Sequence, residues 1–268
     1  QGESLRLRFL RPTFHARSEV YDKYRILCAK VDDRLIGIVA GAEKFVKLHS
    51  EMIRTIYLYD MRVHPDYRKY GTARWLVNTL LEELGSNDCI YTLIAGENRR
   101  ALALARIVLG AHRTVVPLTY AVIPVYKRLR ENAAHRVTSA SDVHEIYLRF
   151  NPDIQFVSAF DEKKLLGHVT SIVVKNGGLS IWTNENLLPE QVVHVPFRFR
   201  VTRVLTIAFR PFLKLPHIPR RNEIILSWFL YDFCAKGEKD INSLLSIANN
   251  LAIDVGRTFL YIPLEPHD

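Results

Sequence analysis

The chain has 268 residues, 48% apolar and 24% charged, enough for two modest domains or one large one around a buried core. Its longest apolar runs, such as ILSWFLYDF (225–233), are too short and interrupted to cross a bilayer. The net charge of +9 suits either nucleic acid or a polyphosphate-bearing cofactor; with no zinc-finger spacing, basic heptad or aromatic RNA-binding strand, nucleic acid is not the expected partner.

In chain order, YRILCAKV (24–31) and RLIGIVAGA (34–42) flank Asp32-Asp33 as a β-hairpin, and RTIYLYDMRV (54–63) reads as a third strand. A helix from Thr72 to Leu84 puts Leu76, Val77, Leu80, Leu81 and Leu84 on one face and stops at Gly85. A strand CIYTLIA (89–95), a helix from Arg99 to Leu109 and a further strand VPLTYAVIPVY (116–126), with a proline at its edge, follow. Past about Arg130 the pattern restarts. SASDVHEIYLRF (139–150) reads as a helix capped by Ser139 or Ser141, LGHVTSIVVK and GLSIWT as a hairpin around NGG (176–178). EIILSWFLYDF, DINSLLSIANNLAIDVG and RTFLYIPL then repeat strand, helix, strand, as RTIYLYDMRV, TARWLVNTLLEELG and CIYTLIA do earlier. The expected fold class is therefore mixed α/β, two similar units in tandem, residues 1–132 and 133–268. The alternating arginines of FRFRVTRV (197–204) fall on one face of a strand, an exposed edge in preference to a surface for an acidic partner. Cys28, Cys89 and Cys234 show no CxxC spacing and read as reduced, buried thiols; with no basic-led signal segment, the expected location is intracellular, the cytoplasm or a nucleus. The opening Gln1 points to a natural start that lies upstream.

One junction carries chemistry. In VHPDYRKYGTA (63–73) a strand ends, a short basic loop passes, and a helix begins. The free amides of a helix's first turn carry partial positive charge and hold a pyrophosphate well. Gly71 lets the backbone approach such a group, Ala73 keeps the next turn open, and Arg68 and Lys69 add charge. Other constellations fail: the ten histidines form no HxH or HxxxH pair, so no metal is expected, and neither a GxSxG elbow nor a P-loop is present.

The segment resembles the signature of the GNAT-type acetyl-CoA-dependent N-acetyltransferases, a strand ending V-x-P-x-x-R, an R-x-x-G-x-[GA] loop and a helix, here Val63, Pro65, Arg68, Gly71 and Ala73. TLIAGENRRALALA, with Asn98 and Ala101, is similar to the family's strand and N-x-x-A helix. PFLKLPHIP (211–219), YTLIAGEN and VIPVYKRLRENAAHRV resemble the plant Hookless-type N-acetyltransferases in particular. The resemblance implies acetyl-CoA as cosubstrate, bound by Met61, Arg62, Val63, Arg68, Lys69, Tyr70, Gly71, Thr72, Ala73 and Asn98. It implies an amine-bearing acceptor, protein or small molecule, that attacks the thioester directly. Splayed strand edges at Met61 to Val63 would polarise the carbonyl through backbone amides. Asp60, Glu97 and Tyr59 are the candidate catalytic residues, with Asp60 preferred as base because strand interiors disfavour an unpaired aspartate. Two departures stand out. The family's thiolate acid, a tyrosine in an LY pair, is replaced by Leu104-Ala105, and the second unit's CAKGEKD (234–240) lacks R-x-x-G-x-[GA], so that unit is expected to be degenerate. The alternative to an enzyme is a CoA-binding regulatory protein of the same fold.

Overall fold

The structure, a computed structural model, describes residues 5–11, 13–48, 51–85, 89–95, 98–108, 119–154, 157–158, 167–185, 188–209 and 212–264. In chain order its elements begin with β1 (Arg6–Phe9), β2 (Tyr24–Val31), β3 (Arg34–Leu48), β4 (Glu51–Val63), a 3-10 turn (Pro65–Tyr67), α1 (Thr72–Leu84), β5 (Cys89–Thr92) and α2 (Arg99–Val108). Then come β6 (Thr119–Pro124), β7 (Arg136–Thr138), α3 (Ala140–Phe150), β8 (Val157–Ser158), β9 (His168–Val174) and β10 (Gly177–Trp182). The last are β11 (Glu190–His194), α4 (Phe197–Phe209), β12 (Ile224–Ile225), β13 (Ser227–Ala235), α5 (Glu238–Asp254) and β14 (Phe259–Leu264). No helix among the described residues is long and apolar enough to cross a membrane.

The contacts divide the chain into two compact units. One comprises residues 15–117 and 154–164 and is called here the loop unit; the other, residues 1–14, 118–153 and 165–268, is called the companion unit. The sequence boundary at 132 assigns β6 to the N-terminal domain, whereas β6 pairs along β14, Thr119 opposite Leu264 through Pro124 opposite Phe259.

In the loop unit the strands lie in the order β2-β3-β4-β5, with β8 paired to the far end of β3. The first two pairings are antiparallel hairpins; β4 and β5, joined through α1, run parallel. α1 forms because its apolar residues recur at helical spacing, and Leu76, Val77, Leu80 and Leu84 are buried. Each fully buried leucine contributes roughly 1.5–3 kcal/mol. The helix can sit close to the sheet because β3 carries glycine beneath it: a Cβ on Gly41 would lie 2.8 Å from Leu80 Cδ2, and one on Gly37 2.9 Å from Leu76 Cδ1. Gly85, at φ 87°, ends the helix by donating its N–H to the Leu81 and Glu82 carbonyls, and Arg54 Nη2 donates to Leu84 O at 2.9 Å.

The companion unit has a six-stranded sheet, β6-β14-β13-β10-β9-β7, and a small one, β1-β11-β12. Its core gathers Ile172, Leu179, Ile181, Leu230 and Leu260 of the larger sheet with Leu244, Ile247 and Ala248 of α5. Ser139 caps α3, accepting from Asp142 N at 3.1 Å.

Two expectations are corrected. Residues 197–204 lie in a helix: the alternation holds only for the first turn, after which Val201, Val204, Leu205 and Ala208 recur at helical spacing, and Pro196 O accepts the Phe199 and Arg200 N–H groups. Cys28 is exposed rather than buried, on the edge strand β2; Cys234 is buried.

Candidate active site

β4 carries the organising feature. Opposite β3, Ala40 faces Tyr59 and Ile38 faces Arg62, so two residues of β4 stand against one of β3. This β-bulge is completed by Asp60 at φ 55°, in the left-handed region that aspartate tolerates better than most residues. The parallel ladder to β5 runs from Thr55 opposite Cys89 only to Leu58 opposite Thr92. Beyond it β4 continues to Val63 without β5, and a cleft of about 280 Å³ opens, lined by Tyr59 to Arg62 on one side and Thr92 to Ala95 on the other.

The end wall of the cleft is α2. Asn98, whose Oδ1 accepts from Ala101 N at 3.1 Å, caps this helix and lines the cleft. Ala101, Leu104, Ala105 and Val108 make the wall apolar where the resemblance implied a tyrosine acid. Glu97 lies outside the described residues.

Asp60 is not unpaired. Arg17 Nη1 donates to its Oδ1 at 3.0 Å, and the aspartate side chain is only 4% exposed. Arg17 Nη2 also donates to the Tyr57 hydroxyl at 2.5 Å, and its guanidinium lies 4.8 Å from the Tyr59 ring centroid. Arg17 lines the cleft, and sequence reasoning missed it. Its segment carries no periodicity that signals a partner on β4. Beneath it Tyr57 stacks on Tyr59 at 5.2 Å and on Tyr91 at 4.9 Å. The Tyr59 hydroxyl donates to Ser18 Oγ at 2.8 Å, and burial pushes its pKa up to about 12, so it keeps its proton at neutral pH. Burial raises Tyr57 as well, against the pull of Arg17.

The remaining candidates form a second group past the strand end. Arg68 Nε donates to Val63 O at 3.1 Å, folding the basic loop back on β4, and Lys69 and Tyr70 are exposed. Gly71 precedes α1 at φ 75°, and a Cβ placed on it would meet nothing within 4 Å. No side chain caps this helix and no acid stands in its first turn. Thr72 Oγ1 donates to Tyr67 O at 3.2 Å, and Ala73 presents no bulk. The first-turn amides thus have no side-chain cap and no acid beside them, and free amides at a helix start are the kind of group that accepts a phosphate. The structure brings Tyr59, Asp60, Met61, Arg62 and Asn98 into the cleft and groups Arg68 to Ala73 at the helix start.

A bulged β4, parallel strands that part beyond it, and a glycine loop opening a helix are now all in place. Residues 3–111 match the family model of the acetyltransferase (GNAT) family. The chain has the GNAT acetyltransferase fold. Among solved structures it is similar to N-myristoyltransferase of Saccharomyces cerevisiae with bound myristoyl-CoA, with TM-score 0.54 at 11% identity over 96% of this chain and 65% of that one. Another structure of the yeast enzyme with myristoyl-CoA gives TM-score 0.50 at 11% identity over 87% of this chain and 61% of that one. Eis1 from Mycobacterium abscessus gives TM-score 0.50 at 14% identity over 98% and 67%. The chain thus spans less than two thirds of the length of these two yeast structures. No curated protein sequence matches it. At these identities the likeness is one of fold.

Proposed function

We propose that the chain is an acyl-CoA-dependent N-acyltransferase that uses acetyl-CoA and transfers the acetyl group to a primary amine of a protein or small molecule. The observation that carries this reading is the uncapped, acid-free start of α1 behind Gly71, placed directly after a strand that has parted from its parallel neighbour. The pyrophosphate would rest on the amides of residues 68–73, with Arg68 and Lys69 nearby. The pantetheine arm would lie along Met61 to Val63 in the cleft, and acetyl-CoA supplies the activated thioester.

In this reading the β4 amides beyond Leu58 polarise the thioester carbonyl. Asp60, held in place by Arg17, would take the proton of the acceptor ammonium. The amine nitrogen would bond to the thioester carbonyl carbon as the C–S bond breaks. The thiolate would leave and take its proton from water, since among the described residues the α2 wall offers no acid. Tyr59, protonated at neutral pH, serves as a hydrogen-bond donor and not as a base. The companion unit is read as a degenerate copy that binds no CoA, and the resemblance of PFLKLPHIP to the plant Hookless-type proteins supports placing the chain near that group. The test is a thiol-release assay with acetyl-CoA against a panel of amines and peptides. Turnover that depends on Asp60 supports the proposal.

A specific observation favours a second reading, a CoA-binding protein without turnover. Asp60 is engaged by Arg17, and the α2 wall offers the apolar Leu104 and Ala105 where a proton donor is needed. Bound acetyl-CoA with no turnover on the whole panel would decide for it.

A further inference from the structure

The sequence from 197 to 221, FRFRVTRVLTIAFRPFLKLPHIPRR, contains seven Lys and Arg and no Asp or Glu. Such a one-sign segment repels itself unless anions meet it. It is also rich in apolar residues, and on α4 they are uncovered: Phe197 is 78% exposed, Val204 67% and Leu205 52%. With Val201 and Ala208, both exposed, they recur at i, i+4, i+7, i+8 and i+11, which draws one stripe along the helix.

A cleft of about 540 Å³ opens beside that stripe. Arg200 and Arg203 of α4, His194 at the end of β11, and Arg220 and Arg221 wall it, and among the described residues no carboxylate lines it. Arg200 Nε donates to Val195 O at 3.0 Å, which holds that side chain at the wall. Arg220 has Glu223 at 3.8 Å; among the described residues no carboxylate pairs with Arg200, Arg203 or Arg221. Val204 belongs both to the cleft wall and to the stripe, so cationic pocket and apolar ridge are contiguous.

The two halves of this surface select among anions. A soluble phosphate would fill the cleft and gain nothing from exposed Phe197 and Leu205; a single-stranded nucleic acid would stack a base on Phe197 at most and leave Val201, Val204 and Leu205 uncovered. A bilayer presents phosphate headgroups directly beside hydrocarbon, the juxtaposition found here. We propose that α4 and its arginine cleft dock on an anionic lipid bilayer, with headgroup phosphates in the cleft and Phe197, Val201, Val204 and Leu205 at the acyl boundary. The proposal is independent of the acetyl-transfer reading.

Vesicle co-sedimentation of the full chain tests it, with phosphatidylcholine alone and phosphatidylcholine mixed with phosphatidylserine. The protein should bind the mixed vesicles, leave them as salt is raised, and bind the neutral ones weakly. R203Q and R221Q should each weaken binding about five-fold, and the double variant V204D/L205D should abolish it. These positions are partly or well exposed, so circular dichroism should be unchanged. Failure to bind anionic vesicles overturns the proposal. Undiminished binding by V204D/L205D also overturns it, pointing to a purely electrostatic partner such as nucleic acid or soluble polyphosphate. A dimer in sedimentation velocity that V204D/L205D dissociates would assign the stripe to a second copy and overturn it as well.

Discussion

The tripeptide Leu-Tyr-Asp occurs at 58–60 and again at 230–232, and both copies build the same irregularity. In the companion unit Ser180 faces Tyr231 and Gly178 faces Cys234, two residues of β13 against one of β10, and Asp232 has φ 48°. The parallel ladder to the next strand ends at Phe229 opposite Tyr261, as that of β4 ends at Leu58. Each aspartate is met by a side chain from a separate segment, Asp60 by Arg17 and Asp232 by His144 Nδ1 at 3.0 Å. The connections that follow differ. β4 reaches α1 through residues 64–71 and a left-handed glycine, and α1 starts without acids. β13 reaches α5 through residues 236–237 alone, with Gly237 extended at φ −168° and Glu238 and Asp240 in the first turn of α5. Bulge and splay therefore belong to the sheet; the capacity for an anion belongs to the loop, and an acidic first turn opposes it.

The largest expected effect separates the two aspartates. Asp60→Asn should lower turnover by roughly two to four orders of magnitude in the thiol-release assay, while Asp232→Asn leaves it unchanged. Asparagine tolerates positive φ, so both bulges should survive. Equal, mild effects would mean that Asp60 is there for the bulge alone. The partners come next. Arg17→Met removes the guanidinium from a carboxylate whose side chain is 4% exposed. It should cost about 2–4 kcal/mol in denaturant unfolding, below the full buried-pair value because Arg17 is partly solvated. His144→Leu should cost less, about 1–2 kcal/mol, the value of one hydrogen bond and its unmet partner.

Ala73→Asp gives α1 the acidic first turn of α5. It should raise the melting temperature slightly, since an acid there is worth about 0.3–1 kcal/mol, and weaken acetyl-CoA affinity several-fold. A parallel rise in affinity would contradict the comparison. The smallest effect is in acid. Burial opposes ionisation of Glu43, but hydrogen bonds from Arg54 and Lys23 outweigh it and hold its carboxyl below the usual range. Its contribution is complete above the unfolded pKa and is lost as pH falls through the folded one. Burial raises Glu190, so its contribution has the opposite sign, present at low pH and lost as pH rises. Glu43→Gln should therefore destabilise near neutrality and matter little in strong acid, whereas Glu190→Gln should be most favourable near neutrality. Melting curves across acidic pH check both.

The junction at 63–73 was legible as strand, glycine loop and helix because these parts are contiguous in sequence. The recurring order of strand, helix and strand in the second half was legible in the same way. The Arg17–Asp60 pair was not legible, because Arg17 stands 43 positions away in a stretch of bends. The unpaired-aspartate argument for Asp60 failed for the same reason, and the φ of a bulge leaves no mark in composition. The 197–204 segment misled because a first turn of Phe-Arg-Phe-Arg satisfies both periods. The pairing of β6 with β14 depends on partners remote in the chain, which local pattern does not encode.

The most direct measurement is calorimetric titration of acetyl-CoA into the wild-type protein, Gly71→Val and Gly237→Val. Valine at φ 75° costs about 1–2 kcal/mol of backbone strain and puts a branched side chain where a Cβ now meets nothing within 4 Å. The account predicts one site per chain, affinity at least roughly ten-fold weaker in Gly71→Val from the strain and lost phosphate contacts, and no change in Gly237→Val. Undiminished affinity in Gly71→Val, or binding that Gly237→Val removes, would contradict it.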